Sequence, residues 1–508
     1  MSDTASPSNA QQSQEPSTAY WRAIDQRFAR SKTLPRQLIG RLQRFWQAFK
    51  RPEGDRTLEE KLAIGSALTT FEYVLTIFFR IGSTLIVTRL LAPEVFGLFA
   101  VIVTFQVIAS MLSDLGVRQL IIVSDHTDDP TFLQTCWTVQ IIRGLVLWGS
   151  VICIALLLWV LHLSDVIGGG TVYASPVLPF ALALSGAQLA LQGAESVNQH
   201  VDVKFMRFRR ITVLNCIRAA LAPVLTIAIA LHHPSVWSLV VAGFLGSALS
   251  LVLTFVLFPG CPMRFCWERR YANELFARGK WIVGQSGLTV IAKSADKIVL
   301  GAVLPAPMLG IYFLATQIIE VPHNLLHRLQ AALGLQFFQR TFEEAKDPTA
   351  IRSRYYRYRV PFDLIACLLT GGMISAAPAV IDLMYDPRYQ QAGPMLQILA
   401  LGLPLATVGL IREAFSAQKR FRTLAFISAI QAISIWLGLF VAMPVLGGMT
   451  GALLVIALHR LPEIATLWFL AQRSGWVGIF NEIRFAPLIL VGALMGWGMT
   501  QLFGFIDL

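Results

Sequence analysis

The feature that most constrains the fold of this chain is a series of about thirteen long apolar stretches. We place them at 62–90, 93–115, 134–161, 177–197, 211–231, 236–258, 281–304, 308–334, 361–385, 393–411, 423–443, 448–470 and 485–506. As helices, these stretches are long enough to cross a hydrocarbon layer roughly 30 Å thick. A composition with 55% hydrophobic and only 14% charged residues excludes a water-soluble globular protein. The sequence therefore predicts an all-α, polytopic membrane protein with roughly 12–14 transmembrane helices.

Positive charge is confined almost entirely to every second gap between these stretches. The first 61 residues contain eleven lysines and arginines. The later basic gaps are 116–133, 198–210, 259–280, 335–360, 412–422 and 471–484, and the gaps between them contain only Arg89 and Arg388. Because cationic loops remain on the cytoplasmic side during insertion, we expect the amino terminus and the basic loops in the cytoplasm of a bacterial inner membrane. The net charge of +12 then reflects topology, and no nucleic-acid partner is predicted.

The sequence contains none of the motifs that would indicate an enzyme or a metal protein. Among six scattered cysteines only Cys261 and Cys266 are close together, in a loop that is expected to be reduced and has no further ligands. A P-loop glycine–lysine run is also missing. We therefore predict no catalytic residue, no metal and no cofactor. Any energy input is expected from an ion gradient, the membrane potential or consumption of the substrate.

An internal repeat is visible at an offset of 213 residues, where 74–100 aligns with 287–313. The alignment places Arg80 on Lys293 and Gly97 on Gly310. The paired glycines either interrupt helices to permit lobe motion or allow tight helix packing. Because six stretches separate the two copies, the halves are parallel and related by an axis along the membrane normal. We therefore predict two six-helix lobes around a central cavity.

These observations divide the chain into five regions. Residues 1–61 form a cytoplasmic tail that is disordered at first and then amphipathic and basic. The basic part fits either a helix on an anionic leaflet or an unstructured flank. The lobes are 62–258 and 281–470, and a cytoplasmic loop, 259–280, joins them. An additional membrane segment follows at 471–508.

Seven cationic residues lie inside the apolar stretches, where each costs about 2.5–3.5 kcal/mol at a helix centre. Residues this costly usually face a watery cavity. The five on the first, third, fifth and seventh stretches are Arg80, Arg143, Arg218, Lys293 and Lys297. An arginine fork grips two oxygens and a lysine supplies a compact charge, so this set predicts a site that binds a diphosphate.

The same cations also have structural interpretations. Arg143 and Arg328 could extend to a membrane interface if the stretch boundaries differ by one turn. Arg460 could pair with Glu463 on the same helix face. Arg218 stands in an otherwise apolar run, and the sequence leaves both interpretations open for it.

Acidic residues within the stretches are candidates for ion coupling, because a carboxylate in a low-dielectric cavity can carry a proton or coordinate Na⁺. They are Glu72, Asp296 and Glu320. Asp296 follows Lys293 by three residues, so an intrahelical ion pair is the alternative for both. Glu320 shares a helix face with His323 and His327, which fits a proton relay or a polar seam. A third metal ligand is lacking there.

Four segments carry a resemblance to a known family. They are TRLLAPEVFGLFA (88–100), SDLGVRQLI (113–121), FLQTCWTVQIIRGL (132–145) and KSADKIVLG (293–301). These segments resemble the oligosaccharide-lipid flippases of the polysaccharide export group, within the multidrug/oligosaccharidyl-lipid/polysaccharide (MOP) superfamily. The likeness covers roughly residues 60–470.

That resemblance implies the MOP flippase fold, with lobes that alternate between inward- and outward-open states. The implied substrate is an undecaprenyl-diphosphate-linked oligosaccharide used for exopolysaccharide, O-antigen or capsule synthesis. Membrane lipids, a polysaccharide polymerase and export machinery are the implied partners. Such families usually have twelve or fourteen spans, and the thirteen stretches found here depart from that pattern.

Two other functions, drug export and polysaccharide synthesis, would require different sequence features. An ion-coupled multidrug exporter of the same superfamily would favour acidic, aromatic-lined pockets, whereas the stretches here contain more cations than acids. A membrane glycosyltransferase or polysaccharide polymerase would need a large outside loop or paired catalytic carboxylates. The longest outside loop, 162–176, is short and contains only Asp165 as an acid. The sequence therefore favours a flippase.

Overall fold

The computed structural model describes residues 58–113, 115–164, 170–344, 347–445, 448–478, 481–482 and 484–506. Within these ranges the chain is almost entirely α-helical and contains no strand. Residues 1–57, which hold nearly all of the expected tail, lie outside the described part.

Seventeen α-helices are described, and we number them in chain order. They are α1 Leu58–Leu90, α2 Pro93–Leu112, α3 Val117–Val123, α4 Pro130–Leu163, α5 Leu178–Ala194, α6 Asn198–Lys204, α7 Phe208–His232, α8 Val236–Leu257, α9 Arg269–Val303, α10 Ala306–Glu344, α11 Pro348–Met384, α12 Ala392–Ala400, α13 Gly409–Ala417, α14 Phe421–Val445, α15 Met449–Leu458, α16 Leu461–Arg473 and α17 Leu488–Ile506. Three 3-10 turns, Val172–Ala174, Pro387–Tyr389 and Pro404–Val408, precede α5, α12 and α13.

Two of the long helices begin at an Asp-Pro pair. The carboxylate of Asp129 accepts the backbone N–H of Thr131 at 2.8 Å at the start of α4. Asp347 caps α11 in the same way through Thr349, at 3.2 Å. In each case proline occupies the first helical position, where its missing N–H costs nothing. These local signals fix where the chain enters the bundle.

The helices are those of a multi-pass membrane protein. Within the described ranges, nine helical stretches are long and apolar enough to cross a membrane, and two further apolar helices are shorter. Each of the thirteen predicted stretches coincides with helix, although 393–411 is divided between α12 and α13 and 448–470 between α15 and α16. Outward-facing apolar residues such as Leu490, 69% exposed, require a lipid environment. The predicted all-α membrane fold is confirmed.

The two copies of the sequence repeat meet at a reciprocal helix crossing. A Cβ atom on Gly97 of α2 would overlap the carbonyl oxygen of Ala306 of α10, and a Cβ on Gly310 would overlap that of Pro93. Gly97 and Pro93 correspond to Gly310 and Ala306 under the 213-residue offset. Each copy therefore makes the same contact with the other, as a two-fold relation requires. Here the glycines serve close packing of helices.

The two ends of the helix bundle differ in the charge of their loops, so we call them the basic end and the neutral end. The basic end carries the basic loops, and the neutral end carries the short turns between them, including 91–92 and 304–305. Helices α1 and α9 end at the neutral end, and α2 and α10 begin there. The crossing of α2 and α10 therefore joins the two halves near the neutral end.

The final helix, α17, packs closely on α11. A Cβ on Gly371 would overlap the carbonyl oxygen of Ile489, and one on Gly492 would overlap that of Leu368. A buried ionic network lies near the basic end of the same helix pair, where Arg359 pairs with Glu482. The carboxyl-terminal segment is thus attached to the second half of the bundle.

Candidate functional site

Arg80 and Lys293 lie at the same depth in the two halves. Arg80 stands ten residues before the end of α1 at Leu90, and Lys293 stands ten before the end of α9 at Val303. With a rise of 1.5 Å per residue, both lie about 15 Å from the neutral end. That depth is the middle of a roughly 30 Å hydrocarbon layer, where an uncompensated cation is most costly.

The Arg80 side chain is half-buried and has no polar partner within the part of the chain that is described. Only its backbone carbonyl is engaged, as acceptor for Ser83 and Thr84 one turn further along α1. The guanidinium lies within electrostatic range of the Tyr385 hydroxyl at the end of α11. Since α11 belongs to the second half, the charge of Arg80 acts on a residue of the other half.

Lys293 is exposed and likewise has no ion-pair or hydrogen-bond partner among the described residues. The intrahelical pair with Asp296, which the sequence allowed, does not form. The ammonium lies within electrostatic range of His323 and His327 on α10. Neither histidine carries a negative charge, so neither neutralises Lys293.

Asp296 is instead engaged with two other residues. Lys297 Nζ lies 3.5 Å from its Oδ2, and the Tyr312 hydroxyl of α10 donates a hydrogen bond to the same oxygen. The other carboxylate oxygen, Oδ1, is buried and has no partner in the described structure. The charge of Lys297 is therefore balanced, while Asp296 retains one oxygen that could accept a proton or a cation.

Arg143 binds the end of a neighbouring helix. Its Nη2 donates to the carbonyl oxygen of Ser110 at 2.9 Å, and its Nε donates to the Ser113 hydroxyl at 3.0 Å. Both acceptors lie at the carboxyl-terminal end of α2, where unpaired carbonyls and the helix dipole favour a cation. A small polar cavity beside it is also lined by Gln140 and Gln192. Arg143 thus has a structural partner near the basic end.

Arg218 forms a compact ion pair that was not predicted from the sequence. Its Nη2 lies 2.6 Å from Glu195 Oε1, and its Nε donates to Ser250 Oγ at 2.5 Å. The Ser250 hydroxyl in turn donates to the same Glu195 oxygen at 2.9 Å. This triad joins the end of α5 to α7 and α8, and it neutralises Arg218 within the first half.

His200 of α6 lies beside this triad at the basic end. Burial, together with the cationic Arg118 and Arg218, lowers the pKa of its imidazole to about 4. The ring is therefore neutral at physiological pH. It adds no charge to the surroundings of Arg218.

The two remaining cations of the apolar stretches also have partners. The Arg328 guanidinium of α10 stacks on the Tyr73 ring of α1, 4.0 Å from its centroid, and so connects the two halves. Arg460 Nε lies 3.3 Å from Glu463, as its spacing suggested. Glu463 also pairs with Arg412 at 2.6 Å. Of the seven cations, only Arg80 and Lys293 have no polar or ring partner among the described residues.

The acidic candidates differ in their surroundings. Asp296 is buried, whereas Glu72 and Glu320 are half-buried and their carboxylates have no hydrogen-bond or ion-pair partner in the described ranges. Glu72 lies within electrostatic range of Cys216 on α7, and Glu320 within range of Tyr312. No group of three metal-ligating side chains is found in the described part of the chain.

Sequence reasoning missed two carboxylates that balance cations, Glu195 and Glu482. Glu195 lies at the end of an apolar stretch and Glu482 lies just before one, where an acid is easily taken for part of a loop. A signal existed for Glu195, because the fifth stretch contains one arginine and the fourth ends with one acid on the same side of the membrane. Glu482 lacked such a signal, since its partner Arg359 stood within a dense run of loop arginines.

The arrangement of the helices resembles that of two solved membrane transporters. The lipid II flippase MurJ, in an inward closed conformation, matches with a TM-score of 0.62 and 14% identity over 85% of this chain and 92% of that one. A multidrug resistance MATE family transporter of the MOP superfamily, in an inward-facing conformation, matches with a TM-score of 0.57 and 13% identity over 81% of this chain and 95% of that one. At these identities the likeness concerns the fold.

The sequence profile of the family described as polysaccharide biosynthesis protein matches residues 86–392. The chain therefore belongs to this family. The succinoglycan biosynthesis transport protein ExoT of Rhizobium meliloti (strain 1021) is 23% identical over 325 residues, which are 63% of this chain and 62% of that protein. The match thus spans about three-fifths of that relative.

Proposed function

We propose that the protein is a flippase that moves lipid-diphosphate-linked oligosaccharide repeat units across the bacterial inner membrane for surface polysaccharide synthesis. The observation that carries this proposal is a pair of cations, Arg80 and Lys293, which lie at equivalent mid-membrane positions and have no polar partner among the described residues. A diphosphate supplies the anionic oxygens that both lack. Membership in the polysaccharide biosynthesis family supports the oligosaccharide, and the name of the succinoglycan relative supports transport.

In this mechanism the diphosphate is held between the two halves while the polyprenyl tail remains in lipid. Arg80 grips two phosphate oxygens with its fork, and Lys293 supplies a point charge from the other half. Arg143, Arg218 and Lys297 complete the predicted set. Because each of these three is already bound to protein, we assign them to the surroundings of the site.

Alternation of the two lobes, 62–258 and 281–470, then exposes the site first on one face and later on the other. The basic end faces the cytoplasm in this proposal, with the amino terminus on the same side, because the basic loops follow the positive-inside rule. A polymerase and export machinery would receive the units on the other face.

Ion coupling is assigned to the carboxylates Glu72, Asp296 and Glu320. Asp296 is the strongest of the three, because its Oδ1 is buried without a partner while Oδ2 is held by Tyr312 and Lys297. A proton on Oδ1 would leave the Lys297 charge unbalanced and so alter the field around Lys293. Undecaprenyl diphosphate is the carrier that the sequence resemblance indicates.

The test is a strain that lacks this protein and retains the glycosyltransferases. We expect lipid-diphosphate-linked repeat units to accumulate and surface polymer to disappear, and mass spectrometry of the lipid would identify the sugar. The wild-type gene should restore the polymer, whereas Arg80→Glu and Lys293→Glu should not. Arg209→Glu, an exposed change at the basic end, is the matched control and should restore it.

The main rival is a multidrug exporter, since one of the structural neighbours is a multidrug transporter. An exporter of cationic drugs would need acids for its ligand. Glu72 and Glu320 also lack partners among the described residues, but the equivalent mid-membrane positions of the two halves are occupied by the cations Arg80 and Lys293. If the deletion strain accumulated no lipid-linked units and became sensitive to cationic drugs, the exporter would be the correct assignment.

A further inference from the structure

The neutral end of α1 is held by two residues of the other half. The N–H of Leu91 donates to the carbonyl of Val87, which completes the last turn of α1. The carbonyls that follow have no donor inside the helix. Arg388 Nη2 lies 3.3 Å from the carbonyl oxygen of Thr88 and 3.2 Å from that of Arg89. The Tyr389 hydroxyl donates to the carbonyl of Leu91 at 2.7 Å.

Several features make this contact specific. Asp386 accepts the Nε–H of Arg388 at 2.8 Å, which fixes the guanidinium orientation towards α1. Tyr389 is fully buried, and its ring meets the ring of Phe96 of α2 edge-on. A cation at the carboxyl-terminal end of a helix is favoured by the helix dipole. The two halves are therefore joined by charge, hydrogen bonding and packing at one point.

A related contact occurs at the symmetric position. The 3-10 turn before α5 presents the Tyr173 hydroxyl beside Gly301, near the end of α9, where an added Cβ would be 3.4 Å away. Each half thus extends a short turn over the end of the other half's first repeat helix. Only the turn Pro387–Tyr389 contributes an arginine, so the stronger hold is on α1, the helix that carries Arg80.

We propose that Arg388 and Tyr389 form a latch that keeps the neutral end closed and must release α1 for the transporter to open there. This inference rests on the alternating lobe movement of the proposed function. The latch joins two segments that are far apart in the chain, so the contact can break without straining the backbone. It also caps carbonyl oxygens that water would otherwise solvate. Opening exchanges these protein contacts for water, so the latch acts as a reversible lock.

Spin labels on both halves of the full-length protein, in lipid nanodiscs, provide the test. Cysteines replace His233, in the turn between α7 and α8, and Asp382, near the end of α11; both are exposed at the neutral end. The six native cysteines are replaced first. The far-UV circular dichroism of the unlabelled protein then verifies that the helical fold is retained. Double electron–electron resonance then reports the separation of the halves without any substrate.

Tyr389→Phe, which loses one hydrogen bond, is expected to raise the ratio of long to short distances by about 2- to 10-fold, and Arg388→Ala, which loses two, by at least as much. Arg89→Ala is the control, because it removes a charge at the same end and keeps the carbonyl that Arg388 binds, so its distances should match the parent. Unchanged distances in both Arg388→Ala and Tyr389→Phe would overturn the latch. The readout needs no transport, so a wrong substrate assignment would leave it interpretable.

Discussion

At the residue scale, the cations of the apolar stretches differ in whether the protein itself balances their charge. Five of the seven cations of the apolar stretches have partners: a helix end for Arg143, carboxylates for Arg218, Lys297 and Arg460, and an aromatic ring for Arg328. The two that remain, Arg80 and Lys293, are also the pair that the sequence repeat aligns. A cation kept at mid-membrane without a partner needs a ligand that supplies negative charge.

A first prediction concerns the kind of charge at these positions. Removing one charge-assisted contact with a phosphate costs about 1.5–3 kcal/mol, so Arg80→Ala and Lys293→Ala should each weaken substrate binding by about 10- to 150-fold. Lys293→Arg should retain most binding because charge is kept, whereas Arg80→Lys should retain less because it loses the fork. Binding of a water-soluble lipid-diphosphate analogue to purified protein would be measured by calorimetry. Equal binding by Arg80→Ala and wild type would contradict this assignment.

A second prediction concerns a pair with a structural role. Arg218→Ala leaves Glu195 largely buried without its cation, and removing one partner of such a pair costs up to about 3–5 kcal/mol when burial is complete. Arg218 is 33% exposed, so we expect about 1–3 kcal/mol. The thermal unfolding temperature of the detergent-solubilised protein should fall. Adding Glu195→Gln to Arg218→Ala should recover part of the loss, and no recovery would argue against a paired role.

At the element scale, the helices follow from signals that a single sequence carries. The length of each apolar run located the thirteen stretches, and the alternating charge of the loops gave the expected orientation of each stretch in the membrane. The repeat anticipated the equal depth of Arg80 and Lys293, since depth depends only on counting residues from a helix end. The Asp-Pro pairs at Asp129 and Asp347 are similarly local, because a cap acts within one turn.

What could not be predicted depends on how each helix is rotated and on what its neighbour presents. Arg218 finds Glu195 on another helix, and apolar sequences contain no periodic signal that fixes such a rotation. The stretch 393–411 is divided by a 3-10 turn that begins at Pro404, a residue type that can break or bend a helix. The latch at Arg388 joins turns that lie about 300 residues from each other in sequence.

A third prediction concerns the crossing of α2 and α10. Gly97→Ala and Gly310→Ala each place a methyl group against backbone of the other half, so each should lower stability by about 1–3 kcal/mol. Gly149→Ala in α4 is the matched control, since nothing lies within 4 Å of the added Cβ. That change should be neutral or stabilising by about 0.5–1 kcal/mol. Thermal unfolding of the three variants would be compared, and equal effects in all three would contradict a tight crossing.

At the scale of the whole molecule, the two halves share a reciprocal glycine crossing and the proposed latch near one end. Arg80 lies on the first half within electrostatic range of Tyr385 of the second half, and Lys293 is exposed on the second half at the same depth. A ligand bound by both would therefore contact both halves at once. The ligand can favour the inward- or the outward-open arrangement of the halves only if the two arrangements bind the ligand with different affinity. This condition links anion binding to movement in the proposed flippase.

The most direct test of the central claim is translocation by the purified protein in vesicles. A fluorescent oligosaccharide linked through diphosphate to a polyprenyl tail is placed in one leaflet, and a membrane-impermeant quencher reports its arrival in the other. We predict transfer faster than in protein-free vesicles, and transfer at the protein-free rate for Arg80→Glu combined with Lys293→Glu. Wild-type transfer no faster than in empty vesicles, or equal transfer by the double variant, would contradict the account.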